Sequence, residues 1–295
     1  MSRLLLLCPG QGNQHADMFE LARTDAHAAA VLDSLAPLTT TEPELFENRH
    51  AQPAIVAASA AMWMAIRDWC PRPALVAGYS IGELAAHAVA GALALPDAVA
   101  LARLRAAMMD DAARRSGEQC MVAVSGIAAR SEGFAAAIVT GEDSWIAGGL
   151  AEQLPAFQES VERAGGKLQR LPVGIASHTP WMDAAVAPFA AALESSAFGA
   201  YACPVLAGVS GARIGDKAGA VTALSRQLAQ TILWSDCMDS AAEAGISVAL
   251  ELGPGAALAR MLHQRHPHIA CRSVAEFRSL QGIRAWLERQ MDQSA

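Results

Sequence analysis

Apolar residues come in two textures along the chain. Three times an apolar run of strand length meets a glycine-rich turn and then alanine and leucine at helical spacing. These are Leu4–Cys8 before Pro9-Gly10-Gln11-Gly12, residues 74–77 before Gly78, and residues 248–252 before Gly253-Pro254-Gly255. Repeated strand, turn and helix units predict a parallel sheet covered by helices. Ligands in such sheets collect beyond the carboxyl ends of the strands, so the three turns are expected at one rim. Between residues 119 and 173 the texture changes to short strand-like pieces (120–124, 136–139, 145–147 and 167–173) around a helical stretch at 156–164. This predicts a small αβ subdomain at residues 118–175, inserted in a large domain of residues 1–117 and 176–295. Near the end, Phe277, Leu280, Ile283 and Leu287 stand at helical spacing and predict a helix over 275–291.

Composition narrows the class. Hydrophobic residues make up 53% of the chain and charged residues 17%. The apolar share is mostly Ala, Leu and Val, and no stretch approaches the ~20 apolar residues of a membrane span. Leu4–Cys8 is too short for a signal-peptide core and runs directly into polar residues. The six cysteines are scattered without a C-x-x-C pair, which fits reduced thiols in a cytoplasmic protein. A net charge of −7, with lysine only at Lys167 and Lys217, argues against a broad basic surface for nucleic acid.

Gly78-Tyr79-Ser80-Ile81-Gly82 fits G-x-S-x-G, in which a sharp strand-to-helix turn lifts a serine hydroxyl out of the sheet. Five residues also fit an ordinary strand-to-helix turn. A serine needs a base within hydrogen-bond reach, usually histidine. Of eight histidines, His178 follows a strand-like segment and precedes Pro180, so it is expected at a strand end, as a base or as a capped surface residue. His87 reads as a packed helix residue. His263, His266 and His268 cluster without cysteine or carboxylate in a basic context, which favours a solvated helix end over a metal site.

At about 100° per residue, Leu101, Leu104, Met108 and Ala112 form one apolar stripe containing Arg105, with Arg103 opposite. A buried arginine needs an anionic partner, either an internal carboxylate or a ligand. Pro9-Gly10-Gln11-Gly12-Asn13-Gln14 fails the dinucleotide pattern because His15 stands where glycine is required. Its amides suit an oxyanion site beside Ser80 instead.

Together these segments resemble the malonyl-CoA:acyl carrier protein transacylase family. The likeness runs through Pro9–Gln14 in the pattern Pro-Gly-Gln-Gly-x-Gln, Gln52-Pro53-Ala54, the elbow with Glu83, Arg105, Ser177-His178, Arg226-Gln227-Leu228 with Trp234, and Glu251-Leu252-Gly253-Pro254-Gly255. Tyr79 departs from the family's usual histidine, the Asn-x-Pro segment is missing near 141–149, and Gly208 stands where asparagine is common. The short small subdomain and the tail Arg272-Ser273-Val274-Ala275-Glu276-Phe277-Arg278-Ser279 look closest to the epsilon subunit of malonate decarboxylase.

The resemblance implies an α/β fold: a large α/β-hydrolase-like domain with a parallel sheet and an inserted small ferredoxin-like subdomain. It implies malonyl transfer from malonyl-CoA, through an acyl-serine, to the phosphopantetheine-type thiol of an acyl carrier protein, with no metal or redox cofactor. Ser80 is then nucleophile, His178 base and Gln227 its orienter through a carbonyl. The N–H groups of Gln11 and Ile81 form the oxyanion site, and Arg105 with Gln52 binds the acyl carboxylate. Lys167, Arg170 and Arg213 are expected to give the carrier groove a positive lip. The alternatives are a serine hydrolase or thioesterase of α/β-hydrolase type, which places its histidine late in the chain, and a non-catalytic scaffold subunit.

Overall fold

The computed structural model describes residues 2–35, 37–38, 41, 44–130 and 133–292. Its strands in chain order are β1 (Leu4–Cys8), β2 (Leu75–Gly78), β3 (Gln119–Ser125), β4 (Ala135–Val139), β5 (Ser144–Leu150), β6 (Lys167–Arg170), β7 (Val205–Leu206), β8 (Arg213–Ile214), β9 (Ile232–Leu233), β10 (Val248–Glu251) and β11 (Ala270–Ser273). Among the described residues they form two sheets, one in the order β11-β10-β1-β2-β7-β8 and one in the order β6-β3-β5-β4-β9.

The larger sheet is parallel from β11 to β7, with β8 antiparallel at its edge. Strand β1 is buried along its whole length, as a central parallel strand under helices on both faces must be. Period-two alternation divides its residues between two cores. Leu4, Leu6 and Cys8 join the core built on helices Asn48–Ile66, Ile81–Val89 and Leu95–Arg114. Leu5 and Leu7 join the one built on helices Trp234–Glu243 and Ala257–Arg265, which also takes in Met121, Ala137 and Ile138 of the smaller sheet.

The three glycine turns do share one rim. A side chain at Gly82 would come within 2.1 Å of the Cys8 carbonyl oxygen, and one at Gly253 within 2.3 Å of the Pro9 ring. Four strands of the smaller sheet lie within 119–170, and its fifth, β9, comes from residues 232–233, in parallel with β4.

Three sequence expectations shift. β6 stops at Arg170, and 171–179 is turn and coil, so His178 does not end a strand. Helix Leu95–Arg114 buries Ala98, Leu101, Ala102, Arg105, Ala106, Met109 and Ala112, while Leu104 is 45% exposed. The helix packs against both Asn48–Ile66 and Asp183–Ser195, and its alanines let those backbones approach, which turns the buried face away from Leu104. The last helix is Leu280–Asp292, because Ser273 and Glu276 close a capping box on a separate short turn and Phe277 is extended.

Candidate active site

β2 ends at Gly78, the Tyr79 N–H donates to the Cys8 carbonyl (3.0 Å), and Ser80 turns the chain at φ 57°, ψ −120° before the helix starts at Ile81. A non-glycine residue held there costs on the order of 1–3 kcal/mol. Glycine on both sides makes the turn possible: a Cβ at Gly78 would lie 2.2 Å from the Glu83 nitrogen, and Gly82 abuts Cys8. The 9–12 loop lies on this elbow. A Cβ on Gly10 would sit 2.8 Å from the Tyr79 carbonyl oxygen and 3.6 Å from the Ser80 Cβ. Gly10 thus brings the loop that carries Gln11 against the elbow, where the Ile81 amide is one of the first-turn N–H groups that a helix leaves without an internal acceptor.

Ser80 Oγ is 2.7 Å from His178 Nε2. His178 is 1% exposed and, like Ser80, is a non-glycine residue at positive φ, 61°. Two contacts hold it: its N–H donates to the Leu228 carbonyl (2.8 Å), and its Nδ1 lies 2.5 Å from the Gln227 carbonyl oxygen. A carbonyl only accepts, so Nδ1 carries the proton and Nε2 presents a lone pair to the serine hydroxyl. Burial, helped by the Arg105 charge and opposed by the Gln227 carbonyl, holds the imidazole pKa down at about 3. The ring is thus neutral at pH 7.

Arg105 is 2% exposed and its guanidinium donates to Gln52 Oε1 (2.8 Å) and Gln227 Oε1 (3.2 Å). Among the described residues no carboxylate lies within ion-pair distance of it. Burial lowers its pKa to about 10, opposed by the charge of Glu83, and it remains a cation at pH 7. Gln227 thus has two tasks: its backbone carbonyl faces His178, and its side chain joins Arg105 to Glu83 Oε2, 2.5 Å from Gln227 Nε2. An amide chain runs outward from Gln52 to Gln11 (3.4 Å), Asn48 (3.0 Å) and Asp110 (2.8 Å).

The structure therefore gathers Ser80, His178, Gln227, Arg105, Gln52, Gln11 and Ile81 at one rim. Glu83, Asn48, Arg49 and Arg114 escaped the sequence reading as members of the site. Only Glu83 had a visible signal, as the residue after the elbow.

Two cavities meet the site. One of about 570 Å³ is lined by Gln11, Asn48, Arg49, Asp110, Arg114 and Ile175 among others. The other, about 430 Å³, lies between Ala135, His178, Thr231 and Leu233. Their basic lining residues are Arg49 and Arg114 rather than the expected lip. Lys167 and Arg170 are exposed on β6, and Arg213 stands on β8 at the edge of the other sheet. His87 is buried against the Tyr201 hydroxyl, and His266 with Arg265 pairs with Asp239. No cluster of metal-ligating residues occurs among the described residues, and no described helix is long and apolar enough to cross a membrane. All six cysteines are free thiols. Tyr79 stacks edge-on against Trp234 (5.3 Å), with its phenol pKa pushed up by burial.

Residues 5–278 match the family described as the acyl transferase domain. The malonyl CoA-acyl carrier protein transacylase of Salmonella typhimurium is 32% identical, over 88% of this chain and 91% of that one. Mycoketide-CoA synthase of Mycobacterium tuberculosis is 29% identical over 94% of this chain, which spans only 7% of that protein. A type II polyketide synthase acyl-carrier protein has been solved in complex with its malonyl-transacylase; that structure superposes with a TM-score of 0.87 at 26% identity, covering 98% of this chain and 100% of the matched one.

Proposed function

The chain belongs to the acyl transferase domain family, and from that premise we propose that it transfers a malonyl group from malonyl-CoA to an acyl carrier protein through an ester on Ser80. The observation that carries this is a neutral Ser–His pair beside a buried arginine held by neutral amides in place of a carboxylate. Such an arginine suits the free carboxylate of a dicarboxylic acyl group, since planar guanidinium matches its two oxygens.

His178 Nε2 takes the hydroxyl proton as Ser80 Oγ attacks the thioester carbonyl, and the Gln11 and Ile81 amides receive the developing oxyanion. Collapse expels the CoA sulfur, which leaves with that proton. In the second half the carrier's thiol gives its proton to His178 and attacks the ester, and Ser80 Oγ departs with the proton. His178 depends on the Gln227 carbonyl for its tautomer, where a hydrolase triad uses a carboxylate. That difference, with the arginine, favours acyl transfer over hydrolysis.

The strand order β6-β3-β5-β4 supports a ferredoxin-like small subdomain at 118–175 inserted in an α/β-hydrolase-like domain. The narrower role of charging the carrier subunit of a malonate decarboxylase rests on the tail 272–279, and free cysteines suit a cytoplasmic setting. Mass spectrometry after mixing with malonyl-CoA tests the proposal. One malonyl group should appear on Ser80 and move to a carrier's thiol but not to water. Rapid release of free malonate would instead favour a thioesterase.

A further inference from the structure

Arg105 and Glu83 are buried charges of opposite sign separated by one amide. Gln227 Oε1 accepts from Arg105, and Gln227 Nε2 together with the Gly208 N–H (2.9 Å) donates to Glu83 Oε2. Glu83 is fully buried, and its other oxygen, Oε1, has no hydrogen-bond partner among the described residues. With Glu83 ionised, the site without ligand is neutral, one cation against one anion. An acyl group whose carboxylate docks on Arg105 brings a second anion into this volume without a second cation, and an uncompensated buried charge is costly.

Among the described residues, the neighbouring groups offer no replacement cation. Tyr201 and Cys237 face Glu83 as acids kept protonated by burial, with the Glu83 charge pushing both further the same way, and Asp236 beside Cys237 is itself an acid. His87, one turn along the same helix, is held neutral by burial, and His178 must stay neutral to act as a base.

Resting on the transfer reading above, we propose that Glu83 is the counter-ion of Arg105 in the empty enzyme and takes a proton from solvent when a carboxylate-bearing acyl group docks, so that malonyl binding is coupled to uptake of one proton and acetyl binding is not. The buffer acid gives the proton to Oε1, which becomes the hydroxyl. Oε2 keeps both of its donors as the carbonyl oxygen. Burial already raises this carboxyl to about 7 against the opposing pull of Gly208, Gln227 and Arg105, and a second buried anion raises it further, past the pH of the measurement below. A ligand that prefers the protonated form loses affinity as pH rises above that value, by up to about tenfold per pH unit for one proton.

The test titrates full-length Ser80→Ala protein, which binds thioesters without turning them over, with malonyl-CoA and acetyl-CoA at about pH 8 in buffers of different ionisation enthalpy. Protonation of the CoA phosphates is common to both ligands and cancels. Malonyl-CoA should take up close to one proton more than acetyl-CoA, its affinity should fall by nearly tenfold per unit above about pH 7, and a further Glu83→Gln change should remove both effects. Equal uptake for the two thioesters, or uptake that survives Glu83→Gln, overturns the inference. The two-ligand comparison stands even if the double variant does not fold. In parallel, wild-type chain that forms no malonyl-serine removes the transfer reading and this inference with it. Malonyl-serine formed without differential uptake removes the Glu83 inference alone.

Discussion

Two histidine–hydroxyl pairs sit near opposite ends of one helix, Ile81–Val89. At its start, Ser80 Oγ lies 2.7 Å from His178 Nε2; towards its end, the Tyr201 hydroxyl lies 2.8 Å from His87 Nδ1. Both imidazoles are fully buried and burial lowers both to about pKa 3. The difference lies in the second nitrogen and in the hydroxyl's setting. His178 Nδ1 is fixed by a carbonyl, its hydroxyl stands on a strained elbow, and a cavity opens beside it. His87 Nε2 has no hydrogen-bond partner among the described residues, and the ring packs edge-on against Phe198 and Tyr201. A short hydrogen bond alone therefore does not mark a reactive pair. Tautomer control and access do.

The largest effect expected from breaking this contrast is at the elbow. Ser80→Ala should abolish malonyl-enzyme formation by mass spectrometry while leaving circular dichroism and thermal unfolding near wild type, since the half-exposed hydroxyl contributes little packing. Loading that persists would mean the reactive hydroxyl lies elsewhere.

Next comes Arg105→Ala, which should depress malonyl loading by roughly two to three powers of ten, the usual scale for stranding one member of a buried pair, and leave acetyl loading little changed. Lysine should restore only part of it. An equal drop for both thioesters would make Arg105 structural. His178→Ala should slow loading by at least ~10²-fold with either substrate; a comparable loss from His87→Gln instead would collapse the contrast between the pairs.

A smaller effect concerns pH. Because the folded His178 pKa lies near 3 rather than 6.5, the base stays neutral through pH 5, and acetyl loading should change by less than about threefold between pH 7 and 5 where an ordinary histidine would lose over tenfold. The same depression means the unfolded chain binds more protons than the folded one between 6.5 and 3. The stability contributed by His178 and His87 is therefore present above about 6.5 and is lost as pH falls towards 3. Urea midpoints followed from pH 7 to 4 check the sign.

The smallest catalytic effect belongs to Tyr201→Phe. It should leave loading rates within about twofold and lower stability by on the order of 1 kcal/mol, for an imidazole nitrogen deprived of its partner. A large rate change there would show the second pair to be part of the site.

Much of this arrangement was legible locally. Gly78 and Gly82 are demanded by contacts of 2.2 and 2.1 Å around the elbow, so G-x-S-x-G after an apolar run reports a real stereochemical need. The unbroken apolar β1 reports burial on both faces, and the change of texture from residue 119 marked the second sheet. Periodicity, however, fixes a helix face only to within a residue or so. It placed Arg105 inward correctly but put exposed Leu104 with it, because the true face is set by the two helices packed on Leu95–Arg114. The start of the last helix likewise moved from 275 to Leu280, because a capping box closes a separate short turn at Ser273–Glu276 and Phe277 is extended.

What the chain order could not contain is the meeting of distant groups. Ser80 and His178 are 98 residues apart, Arg105 and Gln227 are 122 apart, and Glu83 and Gln227 are 144 apart. The residue types suited to nucleophile, base and carboxylate binder stood in the sequence by itself. Which nitrogen of His178 bears the proton, why Arg105 has amides rather than a carboxylate around it, and that Glu83 reaches Arg105 through the Gln227 amide were decided only when the sheet closed. Hydrogen bonds and burial depend on what packing brings within 3 Å, and no local pattern encodes that distance.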